Sequence, residues 1–325
     1  MKISFKTIII LQVALFLSFT SCKEAKQKED IKSKPTANAQ VQEPSFKLSL
    51  AQWSLHRTFN EDGVDPFKFA EISKNMGFEG LEYVNHIYTQ QIEDLGFDKV
   101  MDSLKSLSEK HEMQNVLIMI DGEGDLASPY EDERNLAVEN HKKWINAAQK
   151  LGCHSIRVNT FGTNEPSEWL PSVVDGLRKL SEYAATKNIN VLCENHGWLS
   201  SDAPLLMEAI ELVDMENCGT LPDFGNWCIK RKEGSTWGEC IEEYPDKYQG
   251  IELMLTKAKA VSAKSYDFDE EGNETTLDFT RIMKLVKDSG YSGFIGVEYE
   301  GDRLPEDEGI EATKKLLETS IESLQ

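Results

Sequence analysis

Three times along this chain a helical stretch ends in a glycine and an apolar strand begins at once. Asn75-Met76-Gly77-Phe78 leads into 79–84, Lys150-Leu151-Gly152-Cys153 into 155–159, and Asp288-Ser289-Gly290-Tyr291 into 293–298. Glycine suits the left-handed position after a helix, and so short a connection is an αβ loop. Extending the rhythm predicts strands near 47–53, 79–85, 115–120, 154–160, 190–195, 218–223, 260–266 and 293–299. Amphipathic helices are expected between them, among them Val100 to His111, Asn135 to Leu151 and Trp169 to Lys187. Another, Tyr248 to Ala258, is expected after an irregular loop from Trp227 to Pro245. Eight strands alternating with helices over about 280 residues is the size and order of a single-domain α/β protein, a closed (β/α)8 TIM barrel. A doubly wound open sheet is the alternative, but no glycine-rich phosphate loop follows the first strand to support it. Residues 46–325 are therefore assigned to the barrel.

The segment before the barrel has a different composition. Lys2 and Lys6 flank a short basic start, and the apolar run from Ile8 to Phe19 is too short for the ~20 residues of a membrane span. It reads as a signal peptide over 1–21. The run closes on Phe19-Thr20-Ser21-Cys22, small residues before a cysteine, which resembles the lipobox of bacterial lipoproteins. Cys22 is the expected lipidation site, against the alternative of a secretory signal with a chance cysteine. Residues 22–45 are rich in Lys, Glu, Gln, Pro and Ala and too poor in apolar residues to fold, so a flexible tether is expected. The protein is then expected in the periplasm or at the cell surface, held to the membrane only through its lipid.

The chain carries a net charge of −21. Removing the signal takes away Lys2 and Lys6 and leaves 33 basic against 56 acidic residues, a net charge of −23. A surface this acidic repels phosphate backbones, which excludes nucleic acid as a partner. Past Cys22 there are Cys153, Cys193, Cys218, Cys228 and Cys240. An odd number without CxxC spacing argues against a disulfide framework or a zinc knuckle. The first three lie in or beside apolar strand-like runs and read as small core residues. Cys228 and Cys240 could pair in an oxidising compartment, but the expectation is that they do not.

In a parallel barrel, chemistry collects at the C-terminal ends of the strands. Here those ends carry Gln52-Trp53-Ser54, then Glu82 with Asn85-His86, Asp121, Arg157 with Asn159, Glu194-Asn195-His196, Asp223, Ser262 with Lys264, and Glu298-Tyr299-Glu300. Side chains two apart on a strand share a face, so Glu82 with His86, and Glu194 with His196, are expected to point the same way. Any one rim charge can simply be solvated. Glu194, Asp223 and Glu298, however, each follow an apolar run at the same depth in successive repeats. Three carboxylates converging on one mouth repel unless a cation sits among them, and hard divalent ions prefer such oxygens.

These residues resemble the xylose-isomerase-like barrels, the superfamily of sugar (phosphate) isomerases and epimerases. The resemblance covers essentially all of 46–325. It rests on 48–53 (LSLAQW), 77–82 (GFEGLE), Glu194-Asn195-His196-Gly197, Pro222-Asp223-Phe224-Gly225-Asn226 and Gly296-Val297-Glu298-Tyr299-Glu300. It implies one divalent metal, Mn or Mg, held by Glu194, Asp223 and Glu298, together with a histidine from the seventh strand. That histidine is missing, and Ser262 stands in its place. The site is expected to be a weakened, oxygen-rich Mg or Mn site. The second expectation is that Lys264 supplies the positive charge with no metal. His196 is read as a hydrogen-bonding residue before a substitute ligand.

The resemblance further implies α-proton transfer on a keto or aldo sugar through an ene-diolate, with Glu194 and Glu298 as the catalytic pair. Glu82, His86, Arg157, Asn159, His196 and Lys264 would hold the carbohydrate, and Trp53 or Trp227 would stack on it. Export and the excess of carboxylates over arginines favour a free sugar, oxidised sugar or glycoside over a sugar phosphate. One rival is a keto-glycoside lyase or hydratase using the same proton chemistry, and another is a non-catalytic sugar-binding lipoprotein. Homo-oligomerisation is left open. The anchor is tested directly: Cys22→Ser is expected to move the protein from the membrane pellet to the soluble fraction, checked by fractionation, and equal membrane recovery refutes lipidation.

Overall fold

A computed structural model describes residues 46–324. The signal peptide, Cys22 and the tether lie outside the described residues. The chain opens with β1 (Phe46–Ala51), short helices α1 (His56–Asn60) and α2 (Phe69–Asn75), β2 (Gly80–Val84), α3 (Thr89–Leu95) and α4 (Phe97–Lys110). It continues through β3 (Gln114–Ile120), α5 (Glu131–Leu151), β4 (Ser155–Val158), α6 (Pro166–Ala185), β5 (Asn190–Glu194) and α7 (Ala203–Val213). β6 (Cys218–Leu221) precedes a hairpin of β7 (Cys228–Arg231) and β8 (Cys240–Glu243), followed by α8 (Lys247–Leu255) and β9 (Val261–Ser265). The chain ends with α9 (Phe279–Asp288), β10 (Gly293–Tyr299) and α10 (Glu306–Glu322). Apart from that hairpin, the strands match the eight that the rhythm predicts to within two or three residues. Gly77, Gly152 and Gly290 adopt φ of +78°, +83° and +76°, the left-handed conformation that ends each helix and releases the next strand.

Eight strands form one sheet in the order β6-β5-β4-β3-β2-β1-β10-β9, all neighbours parallel. The two ends meet. Parallel bridges join Thr220 to Ala258 and Asp223 to Ser262, and the backbone N–H of Ser262 donates to Pro222 O at 3.0 Å while that of Phe224 donates to Ser262 O at 3.1 Å. The sheet is therefore closed into a barrel, and its seam sets Asp223 beside Ser262. Leu81, Val116, Ile156, Val191 and Ile295 pack the strands against the surrounding helices. α7, α8 and α9 begin on Asp202, Asp246 and Asp278, whose carboxylates accept from Leu205, Gln249 and Arg281 N–H groups, the usual means of satisfying a free first turn.

Two expectations are corrected here. The loop from Trp227 to Pro245 is not irregular, because it holds the antiparallel β7–β8 pair. Cys228 and Cys240 are joined by a disulfide with Cα atoms 5.8 Å apart. Counting cysteines could not see that a hairpin sets these two opposite one another, while Cys153, Cys193 and Cys218 are free and buried.

The loops above β3 and β4 are seated on each other at Gly162. Its φ is +147°, and an added Cβ would lie 2.3 Å from backbone atoms of Ala127 and Ser128. Backbone cannot retreat as a side chain can. Gly162→Ala is therefore expected to cost about 1–3 kcal/mol, read as a fall in melting temperature of roughly 2–4 °C per kcal/mol in a domain of this size. An unchanged melting temperature would refute the tight seating.

Candidate active site

The C-terminal ends of the strands open into a cavity of about 820 Å³. Side-chain amides lace neighbouring strand ends beneath it. Asn195 donates to Asp223 O at 2.9 Å and accepts from Asp223 N–H at 2.7 Å, and Asn85 pairs with the Asp121 backbone in the same way at 2.9 Å. Gln52 accepts from the Val84 N–H at 3.0 Å.

On this base the three expected carboxylates converge. Glu194, Asp223 and Glu298 each offer an oxygen within 4.8 Å of the others, and all three are buried. Asp223 Oδ1 accepts the backbone N–H groups of Gly225 and Asn226 at 2.8 and 2.9 Å, which aims Oδ2 at the cluster. Ser262 Oγ lies 2.8 Å from Asp223 Oδ2 and 2.9 Å from Glu298 Oε2. A hydroxyl has one hydrogen to donate, so the second contact needs a proton on a carboxyl. Asp223 supplies the reason. Burial, reinforced by Glu194 and Glu298 and opposed by Lys264 and Ser262, holds its carboxyl well above the usual range.

Two buried cations offset part of the cluster's charge. Arg157 Nε is 2.8 Å from Glu194 Oε2, and its Nη1 is 2.8 Å from Asp121 Oδ1. Lys264 Nζ lies 3.1 Å from Glu300, 3.3 Å from Glu298 and 3.8 Å from Asp223, yet none of these contacts is aligned as a hydrogen bond. Burial alone would discharge Lys264, but the surrounding carboxylates of Glu298, Glu300 and Asp223 hold its pKa well above normal. Burial pushes Glu194 up to about 7, against the pull of Arg157.

The residues fit a divalent ion. Three hard carboxylate oxygens surround one point, and the acidic groups outnumber the cations. Where an imidazole was expected, Ser262 contributes a neutral hydroxyl.

The remaining expected residues separate. His86, Arg157, Asn159, His196 and Trp53 line the cavity. His196 is held as a neutral hydrogen-bonding ring: burial, with Arg157 and Lys264 nearby, pushes it down to about 3, and its Nδ1–H donates to Asn159 Oδ1 at 2.7 Å. Asn159 in turn donates to Asp121 at 2.6 Å. Burial opposes ionisation of Asp121, but the Arg157 guanidinium holds its carboxyl well below the usual range. Trp53 stacks on His56 with centroids 4.7 Å apart and donates from Nε1 to Glu300.

Glu82 does not share a face with His86 and does not reach the cavity. The two-residue alternation ends at Val84, where a 3₁₀ turn over Asn85–Tyr88 swings His86 outward. Glu82 stays inside the barrel and accepts from Ser49 Oγ at 2.6 Å. Trp227 is likewise core, donating to Phe224 O at 2.8 Å and packing on Tyr244. Sequence reasoning passed over Tyr266, Phe161, Trp198, Arg231 and Trp237, which also line the cavity. Their signal was their place on loops following strand ends.

Comparison with known proteins agrees with this fold. Residues 70–320 match the family described as a xylose isomerase-like TIM barrel. An inosose dehydratase from Yersinia enterocolitica is 23% identical over 209 residues, 56% of this chain and 69% of that protein. A solved structure of the IolI protein with a bound zinc atom superposes with a TM-score of 0.63 at 15% identity, covering 85% of this chain and 98% of that one. A 3-keto-D-glucoside 4-epimerase from E. coli gives 0.61 at 14% identity, covering 85% and 99%. At these identities the two structures speak for the fold alone.

Burial raises Glu82 from 4.5 to about 8, with Ser49 opposing. Its protonated form is thus favoured in the fold, and the stability this contributes is complete below about pH 4.5 and lost as pH rises through about 8. Glu194 acts in the same sense up to about pH 7. The metal-free melting temperature is expected to fall between pH 5 and 8. Glu82→Gln, which cannot ionise, should flatten the upper part of that curve. Thermal melts across the pH range with chelator present check it, and an unaltered slope would count against a buried neutral Glu82.

Proposed function

The chain belongs to the xylose isomerase-like TIM barrel family, and from that premise we propose that it is a sugar-modifying enzyme of the isomerase or epimerase type. It moves a proton on the carbon beside the carbonyl of a keto or aldo sugar. The observation that carries this reading is the convergence of Glu194, Asp223 and Glu298 within 4.8 Å at one mouth. Glu194, Asp223 and Glu298 would hold a divalent cation, Mn or Mg. Bound there, it would polarise the sugar carbonyl and offset the charge that develops on it.

The residues do the rest. Glu298 and Glu194 remove and return the α-proton, so the substrate passes through an ene-diolate with no net gain or loss of atoms. A carboxylate held beside the reacting carbon can take up a proton and return it. Asp223, fixed by two backbone N–H groups, serves as a ligand only. Lys264, buried beneath the cavity lining, offsets the charge of Glu298 and Glu300, while Arg157 pairs with Glu194. Asn159, His196 and His86 offer partners to hydroxyl groups.

The dehydratase relative favours a second reading on the same residues, in which proton removal is followed by loss of a leaving group; the leaving group would be water in a hydratase-type reaction and the aglycone in a keto-glycoside lyase. We further place the protein outside the cytoplasm, lipid-anchored at Cys22. The Cys228–Cys240 bridge supports that reading, since such bonds persist in oxidising compartments.

The test joins metal and proton. Millimolar Mn or Mg is expected to raise the melting temperature of the wild type, because a ligand bound only to the folded state adds stability, and to leave Asp223→Ala unmoved. Deuterium from heavy water should enter a turned-over keto sugar, read by mass spectrometry, with loss of the leaving group marking the lyase instead. Absence of both metal response and sugar turnover would leave the binding-protein alternative.

A further inference from the structure

The cavity is larger and more aromatic than a site for one reacting sugar requires. Its roughly 820 Å³ lies toward the top of the range of about 300–1,000 Å³ typical of small-molecule sites, and its lining divides in two. Glu298 and Glu300 with Arg157 and Trp53 form one part, with Glu194 and Asp223 buried behind them. The other is a wall of rings drawn from three successive loops: Phe161 after β4, His196 and Trp198 after β5, and Trp237 at the tip of the β7–β8 hairpin.

These rings touch. Trp237 lies edge-on to Phe161 with centroids 5.7 Å apart and tilted against His196 at 5.0 Å, and Phe161 meets Trp198 at 5.8 Å. The Arg231 guanidinium sits 5.8 Å from the Trp237 ring centre and donates to Gly238 O. Unlike core aromatics, Trp237 remains 54% exposed.

The wall is built and held. The disulfide Cys228–Cys240 closes the hairpin below Trp237, and Trp198 Nε1 donates to Ser235 O at 3.1 Å, tying the loop after β5 to the hairpin. Trp198 adopts φ of +55°, a left-handed conformation that costs a bulky side chain free energy and concentrates at ligand clamps. The two parts are continuous. His196, against Trp237, donates to Asn159, which lies beside Arg157, which pairs with Glu194.

We propose that the aromatic wall of Trp237, Phe161 and Trp198 receives a second ring joined through a glycosidic oxygen to the sugar at the acidic cluster, making the substrate a glycoside and not a free monosaccharide. The inference rests on the sugar-enzyme reading above and narrows its substrate class. The exposed Trp237 indole, with the half-buried Trp198 beside it, suits the apolar face of a ring, and Arg231, Thr236 and Asn226 around them provide for polar substituents. A sugar and an aryl group share this chemistry, and the test separates them.

The experiment titrates the full-length chain in detergent by calorimetry with four probes: D-fructose, methyl 3-keto-β-D-glucoside, phenyl 3-keto-β-D-glucoside and 3-keto-cellobiose. The ring-bearing glycosides are expected to bind about five- to tenfold more tightly than the methyl glycoside or fructose. Trp237→Ala should bring them down to the methyl value, and Trp237→Phe should keep most of the advantage. Its exposure makes either substitution compatible with folding, checked by melting temperature. Whichever of the phenyl glycoside and the disaccharide binds more tightly identifies the second ring. Equal binding of methyl and ring-bearing probes, or an advantage that survives Trp237→Ala, overturns the proposal while the sugar-enzyme reading stands. No binding of any probe overturns both.

Discussion

Everything about this site follows from burying several carboxylates at the mouth of one barrel. Asp223 is 0% exposed, Glu194 2% and Glu298 4%, with Glu82 buried behind them. Like charges taken out of water at this spacing cannot all remain ionised without compensation. The compensation is visible around them. Arg157 lies against Glu194, Lys264 reaches towards Glu298 and Asp223, Ser262 bridges the two, and Glu82 rests as a neutral acid beneath. The two cations do not cancel the cluster, and a divalent ion among its oxygens would complete the balance.

Such a cluster needs a rigid frame, and the barrel supplies one by construction. Each carboxylate leaves the end of a strand held on both sides by parallel ladders. Side-chain amides at Asn195 and Asn85 tie the next loop's backbone back to the neighbouring strand. The closing seam is the most consequential contact. Pairing Asp223 with Ser262 brings the ends of the sheet together, so the fold cannot close without assembling the site. The loops above are less regular and carry the aromatic residues, which divides the labour between a fixed acidic floor and a separately braced wall.

How much of this could be read beforehand depends on the range of the interaction. The glycine-ended helices and the strands after them are local, and Gly77, Gly152 and Gly290 announce them through the conformation each must take. The triad was legible because the repeat sets Glu194, Asp223 and Glu298 at equal depth. Glu82 and His86 were misjudged as a pair because alternation holds only while the strand lasts, and the turn at Asn85 depends on packing of Tyr88 and Gln52. Trp227 and Trp237 look alike in sequence, yet one is buried against Gly250 and the other stands over the cavity.

The sequence by itself therefore determined the βα repeat, the barrel it must close into, and the strand ends that carry carboxylates, since these rest on periodicity and on the φ that glycine alone takes freely. Only the tertiary structure decided the pairing of Cys228 with Cys240, the bridging place of Ser262, the distances that set Lys264 among Asp223, Glu298 and Glu300, and the meeting of Phe161, Trp198 and Trp237 in one wall. Each of these joins residues from different repeats or across a hairpin, and no local preference fixes how such partners approach until the barrel has closed.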